Sequence, residues 1–285
     1  MFDQWREKFR SCVPWIHDRL SSTANLVCPP VCFACERIFE KTSIPWFFCA
    51  DCHRQITVPS QHFCHRCGSI KNSAIMPPNA VSGCSECRHR TFRFSQVFVL
   101  GEYRDLLRRL ILRMKRDRDG TLASNMARLF LDERNDLLQT LAPDMVVPVP
   151  MHFVRRWYRG VNNPVFFARE IGHRLSVPVL PELIRRIRYT KPQFRLKPKQ
   201  RLTNVRGAFA YTGKKGMLHG KHLLIVDDIM TTGATCNEVA KILMEAGAAR
   251  VSVAVFARAE GMSTRELSEV KNEKLKVKSV HENYR

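Results

Sequence analysis

From Phe94 onward, short apolar runs alternate with stretches of helical period. Residues 96–102 (QVFVLGE) predict a strand, and 103–116 predict a helix with Leu106, Leu107, Leu110, Ile111 and Met114 on its apolar side. A second helical stretch covers 125–140, a short buried strand 145–149 and another helix 164–175. Residues 221–226 form a strongly apolar strand, 235–246 a helix ended by Gly247, and 250–257 a last strand. Strands alternating with helices imply right-handed crossovers and a parallel sheet flanked by helices, an α/β fold. Ligands of such sheets sit at the carboxyl ends of the strands, so chemistry is expected after Val149 and Val226.

The stretch ahead of this pattern obeys no such period. Phe39, Trp46 and Phe63 are scattered, and a core of its own is not expected there. Instead it carries ten of the chain's 11 cysteines, eight of them in four C-x-x-C pairs: Cys32/Cys35, Cys49/Cys52, Cys64/Cys67 and Cys84/Cys87. The first two pairs recur 32 and 35 residues later. Two residues between cysteines let one tight turn aim both sulfurs at a single tetrahedral ion, and two such turns close a four-thiolate site. Two structural Zn²⁺ are therefore expected, supplying on the order of 10 kcal/mol of folding free energy per site. Sequential pairing follows from the repeat, and a cross-braced arrangement stays open. His53, His62, His65 and His89 read as bystanders, and Cys12, Cys28 and Cys236 as small apolar residues.

Residues 2–20 put Phe2, Trp5, Phe9, Val13, Ile16 and Leu20 on one helical stripe. This is a packing helix or, with Arg6, Lys8 and Arg10 beside it, a helix lying on a membrane surface. No signal peptide is recognisable and no apolar run reaches the ~18 residues of a membrane span, so a cytoplasmic protein is expected. The expected organisation is an N-terminal amphipathic helix (1–27), a double zinc ribbon (28–92), the α/β domain (93–260) and a charged tail (261–285).

Across 285 residues, 47 Lys+Arg face 26 Asp+Glu, a formal charge of +21. Two bound Zn²⁺ with their thiolates would lower it to about +17. Such a surface favours polyanions. Basic side chains concentrate at Arg104, Arg108, Arg109, Arg113, Lys115, Arg116 and Arg118. A second cluster holds Arg185, Arg186, Arg188, Lys191, Arg195, Lys197, Lys199 and Arg201. The polyanion is nucleic acid, anionic lipid or a highly phosphorylated small molecule. For a nucleic acid, Trp157, Tyr158 and Phe194 offer stacking platforms beside the basic side chains of the first helix.

The sharpest chemistry lies in LLIVDDIMTTGAT, residues 223–235. Asp227 and Asp228 stand where the buried strand emerges; two adjacent carboxylates add nothing to packing and suit vicinal ribose hydroxyls. Thr231, Thr232, Gly233, Ala234 and Thr235 then form a small-residue loop opening a helix, whose free N–H groups and positive end suit a phosphate monoester. Neither a P-loop nor a dinucleotide fingerprint is present.

These residues resemble the phosphoribosyl pyrophosphate motif of type I phosphoribosyltransferases. From about Cys28 to Arg258 the chain resembles the ComF family, in which a double zinc ribbon precedes a type I phosphoribosyltransferase domain. VVPVPMHFVRRWYRGVNN at 146–163 is similar to the family's VPVP…R…RGFNQ segment, which implies that Arg155, Arg159 and Gly160 belong to a pyrophosphate loop. Residues 188–209 resemble the family's mobile loop, and Lys115 stands where the family carries a lysine. Two departures are visible: RGVNN in place of RGFNQ, and Phe194, Arg195 and Lys197 in a bulkier, more basic lid. The resemblance implies binding of phosphoribosyl pyrophosphate with Mg²⁺, with Asp227, Asp228 and Arg159 at the reacting end. It also implies a role in natural competence at the cytoplasmic face of the inner membrane, with single-stranded DNA and a competence helicase or DNA-processing proteins as partners. The alternative is active transfer of ribose 5-phosphate to an unidentified nitrogenous acceptor.

Overall fold

The computed structural model describes residues 31–39, 48–70, 83–117, 119–151, 162–188, 190 and 198–259. The expected N-terminal helix, the charged tail, Arg155, Arg159 and Gly160 lie outside them. The chain divides into two compact units between Arg54 and Gln55, within a short helix α1 (Ala50–Ile56).

In the second unit, β1 (Gln96–Glu102) leads into α2 (Asp105–Met114), whose buried residues are the five leucine, isoleucine and methionine positions expected from the period. Helix α3 (Thr121–Leu141) begins ahead of its apolar pattern, because Asp119 Oδ1 and Asp117 Oδ2 accept the Thr121 and Leu122 N–H groups at 2.8 and 3.0 Å. Then come β2 (Met145–Pro148), α4 (Asn163–Leu175), β3 (Ile184–Arg186), α5 (Pro198–Val205) and β4 (Phe209–Tyr211). The chain continues through β5 (His222–Met230), α6 (Ala234–Glu245) and β6 (Arg250–Arg258). The main sheet is parallel throughout, in the order β1-β6-β5-β2, and β3 pairs with β4 in a separate antiparallel ribbon.

Strand alternation gives the sheet two apolar faces. Val97, Val99, Val147, Leu223, Ile225, Val251, Val253 and Val255 share one core with Cys236, Val239, Ala240 and Leu243 of α6. On the other face Phe256 stacks on Phe167 of α4 at 4.0 Å, and Phe167 meets Phe130 of α3 edge-on at 4.8 Å.

The segment carrying the third cysteine pair is built into this unit. Phe63 and Ile70 enter the α6-side core. Val58 N–H donates to Leu100 O at 2.9 Å and Val97 N–H to His65 O at 2.7 Å, covering the open edge of β1. Arg134, 1% exposed, reaches the same edge and donates to Val99 O at 2.9 Å and to Val58 O. Burial lowers its pKa to about 10. Gly101 permits the crossing: a Cβ there would lie 2.0 Å from Ile56 O.

Candidate functional site

The eight paired cysteines form two groups, Cys32/Cys35/Cys49/Cys52 and Cys64/Cys67/Cys84/Cys87, with the four sulfurs of each within 4.8 Å of one another. Pairing is thus sequential, first with second and third with fourth. The sequence repeat is also a repeat of hydrogen bonds. Cys32 N–H donates to Arg37 O at 2.9 Å, and 32 residues later Cys64 N–H donates to Ser69 O at 2.8 Å. Glu36 N–H to Cys32 O is matched by Gly68 N–H to Cys64 O, and the Val31–Ile38 bridge by Phe63–Ile70. The turn residues Glu36 and Gly68 both have positive φ, 62° and 73°. Burial opposes ionisation of Cys32, but backbone N–H donors led by Cys49 bring it down to about 7. A hydrogen bond from the Cys67 thiol heads the causes that lower Cys64 to about 4. Four convergent sulfurs, one of them readily ionised, fit a tetrahedral thiophilic metal such as zinc.

At the carboxyl end of the sheet, β5 outruns β2. Pairing with β2 ends at Pro148–Val226, whereas pairing with β6 continues through Met230–Arg258. Asp227 and Asp228 therefore lie inside a strand rather than in the loop after it, half-buried beyond the tip of β2. Successive strand side chains turn to opposite faces. Asp228 Oδ2 meets Lys115 Nζ at 2.8 Å, both side chains 21% exposed, and Asp228 N–H donates to Asp227 Oδ1 at 2.8 Å. Burial, then the Asp228 charge, raises the Asp227 carboxyl well above the usual carboxylate range.

Thr231 and Thr232 follow, Gly233 turns the chain at φ 76°, and α6 begins at Ala234. Thr232 Oγ1 accepts the Ala234 N–H at 3.4 Å. Two arginines that the sequence did not single out grip the loop from behind. Arg258 donates to Met230 O at 3.2 Å, to Ala259 O at 3.0 Å and to Thr231 O; Arg90 donates to Thr232 O. Arg258 ends β6 opposite Met230, and Arg90 stands three residues after Cys87, a signal swamped by the chain's 47 basic residues.

Asn163, where the family pattern has glutamine, is buried and donates to Met114 O at 3.1 Å, next to Lys115. The second basic cluster is largely structural among its described members. Arg201 is buried, Arg186 donates to Thr190 Oγ1 beneath Phe209, and Arg188 donates to Asn204 O and Arg206 O at 3.1 and 2.7 Å.

The parallel, helix-flanked sheet is phosphoribosyltransferase-like, and residues 163–284 match the phosphoribosyl transferase domain family. The chain is 28% identical over 214 residues to competence protein F of Haemophilus influenzae, covering 74% of this chain and 90% of that protein. It is 29% identical over 233 residues to the DNA utilization protein YhgH of Salmonella typhimurium, covering 80% and 96%, and 23% identical over 217 residues to competence protein ComFC of Bacillus subtilis, covering 73% and 82%. The chain is a homologue of these proteins, as the ComF resemblance implies. Among solved structures, a purine phosphoribosyltransferase from Pyrococcus horikoshii overlaps 55% of this chain and 83% of its own at 15% identity, with a TM-score of 0.30. Among the described residues no helix is long and apolar enough to cross a membrane.

Proposed function

We propose that the chain binds phosphoribosyl pyrophosphate with Mg²⁺ at the end of β5, holds one structural Zn²⁺ in each cysteine cluster, and serves the uptake or use of single-stranded DNA. The observation that carries the ligand reading is a carboxylate pair in β5 directly followed by a helix-opening loop, at the carboxyl end of a parallel sheet. Asp227 is a carboxylate whose charge its surroundings disfavour, which suits a site completed by hydroxyl donors or a cation. In this reading Asp227 and Asp228 hold the ribose hydroxyls, directly or through Mg²⁺, and residues 231–235 hold the 5′-phosphate. Lys115, with Arg155, Arg159 and Gly160, serves the pyrophosphate side, and Arg159 joins the two carboxylates at the reacting end. The names of the relatives, competence and DNA utilization, support the wider role.

Calorimetric titration of Mg²⁺ and phosphoribosyl pyrophosphate into the full chain tests the ligand. Binding by the wild type that disappears in Asp227→Ala/Asp228→Ala supports it; equal heats from both proteins would sink it. A second reading, transfer of ribose 5-phosphate to a nitrogen nucleophile, draws on the Lys115–Asp228 pair, which sets a cation beside the carboxylates where a departing pyrophosphate needs neutralising. Release of pyrophosphate with any of a panel of nitrogenous bases would support that reading, and silence across the panel from a protein that binds the ligand would remove it.

A further inference from the structure

We propose that Arg90 is a positioning residue that couples the second cysteine cluster to the phosphate loop, so that metal held there sets the loop's grip on its ligand; the ligand half of this rests on the reading of residues 231–235 as a phosphate site. In a planar trans peptide the C=O and the following N–H point in opposite directions. Arg258 takes the carbonyl of Thr231 and Arg90 the carbonyl of Thr232. Each carbonyl is drawn to its arginine, so the N–H of Thr232 points away from Arg258 and the N–H of Gly233 away from Arg90, as donors to an anion would. The loop is therefore shaped from behind, by groups outside the ribose motif.

Arg90 is in turn held by the metal cluster. Its N–H donates to Cys87 O at 2.9 Å, and its own carbonyl accepts from Arg66, the residue between His65 and Cys67, at 2.9 Å. The Arg90 guanidinium lies 5.0 Å from the ring of Phe92, which stacks on Phe94 at 4.7 Å. A Cβ on Gly233 would touch both rings at 3.5 and 3.6 Å, so this aromatic pair backs the loop. One residue past Phe92, Arg93 N–H donates to Asn237 Oδ1 at 2.7 Å, in the first turn of α6. Cys84 and Cys87 thus head a segment that contacts the phosphate loop at Thr232, Gly233 and Asn237. Metal fixes that head. Without it, what keeps Arg90 aimed at Thr232 is the weaker set of hydrogen bonds at Cys87 O, Arg66 and Asn237 together with the packing of Phe92.

Amide hydrogen exchange on the full chain, with zinc content measured in parallel, tests this without any ligand. In Arg90→Met the peptide spanning 230–237 should exchange about tenfold faster than in the wild type while both metals stay bound. Cys35→Ser, which disables the first cluster alone, should leave exchange in that peptide unchanged. Linkage supplies a reciprocal test: saturating Mg²⁺ and phosphoribosyl pyrophosphate should make one of the two zinc ions harder for a zinc-selective chelator to remove at equilibrium, and Arg90→Met should abolish that protection. Unaltered exchange in Arg90→Met, or acceleration of equal size in Cys35→Ser, overturns the proposal. A wild type that fails to bind phosphoribosyl pyrophosphate sinks the ligand reading instead, and the exchange comparison still decides whether Arg90 positions the loop.

Discussion

Asp227 and Asp228 are neighbours in sequence with unlike surroundings. Asp228 has the Lys115 ammonium at 2.8 Å; Asp227 is raised by burial and by the charge of Asp228, against a smaller lowering influence from Lys115. A group whose folded pKa is raised contributes its full share of stability below its unfolded value, near 3.9 for aspartate. That share is lost as pH rises through the folded value. Asp227→Asn removes the ionisation and keeps the shape. We therefore expect its ligand-free melting temperature to exceed that of the wild type at about pH 8, and the difference to shrink on acidification and vanish by about pH 4. Thermal scans at several pH values check this; a variant no more stable than the wild type at the upper end would mean that Asp227 ionises freely. On the proposed ligand reading, the same variant should also lose affinity for phosphoribosyl pyrophosphate, stability and binding then trading against each other at this residue. The acidic pair and the loop stand out in the sequence because they interrupt an apolar run abruptly. Arg90 and Arg258 do not, since an arginine that bonds backbone carbonyls looks in sequence like any other of 47 basic residues.

At the scale of elements, legibility followed the range of the interactions. The four strands of the main sheet and the apolar side of α2 are local patterns, and they stand where the periodicity put them. Strand β5 runs past the carboxylates because β6 goes on pairing with it, a contact between residues distant in sequence. The β3–β4 ribbon has three residues per strand, too few for an alternation to register. Phe63 reads as a scattered apolar residue, yet with Ile70 it completes the core of a sheet formed much later in the chain. Gly101 shows how that docking is accommodated. The backbone at Ile56 and Val58 crosses β1 so closely that a methyl group would strike the Ile56 carbonyl oxygen. Gly101→Ala should accordingly destabilise the unit by roughly 1–3 kcal/mol, through displacement of the crossing segment. Urea unfolding measures this, and a midpoint equal to that of the wild type would show that the crossing can shift at no cost.

Across the whole molecule the +21 charge is not one undivided surface. Arg90, Arg134, Arg186, Arg188 and Arg258 are committed to backbone carbonyls, side-chain oxygens or ring faces, and Arg201 is buried. Arg104 of the first basic cluster pairs with Glu102 at 3.0 Å. Exposed on and just beyond α2 are Arg109, Arg113 and Arg116, beside an apolar stripe that packs inward. A protein that binds single-stranded DNA through its backbone loses affinity with salt at a slope of about −0.7 per phosphate neutralised. If α2 carries such contacts, Arg109→Ala/Arg116→Ala should flatten the slope of log affinity against log salt by about 1.4, whatever the base sequence. Its melting temperature should stay near that of the wild type, because exposed charges contribute little to stability. Arg188→Ala, whose guanidinium is engaged by the Asn204 and Arg206 carbonyls, should leave the slope alone, with at most a small loss of stability because both bonds are exposed. Fluorescence anisotropy with a labelled single strand over a salt series, beside a thermal scan of each variant, separates the two. An unchanged slope in the double variant would move the DNA contacts off α2, and a flattened slope in Arg188→Ala would move them toward the segment between β3 and β4.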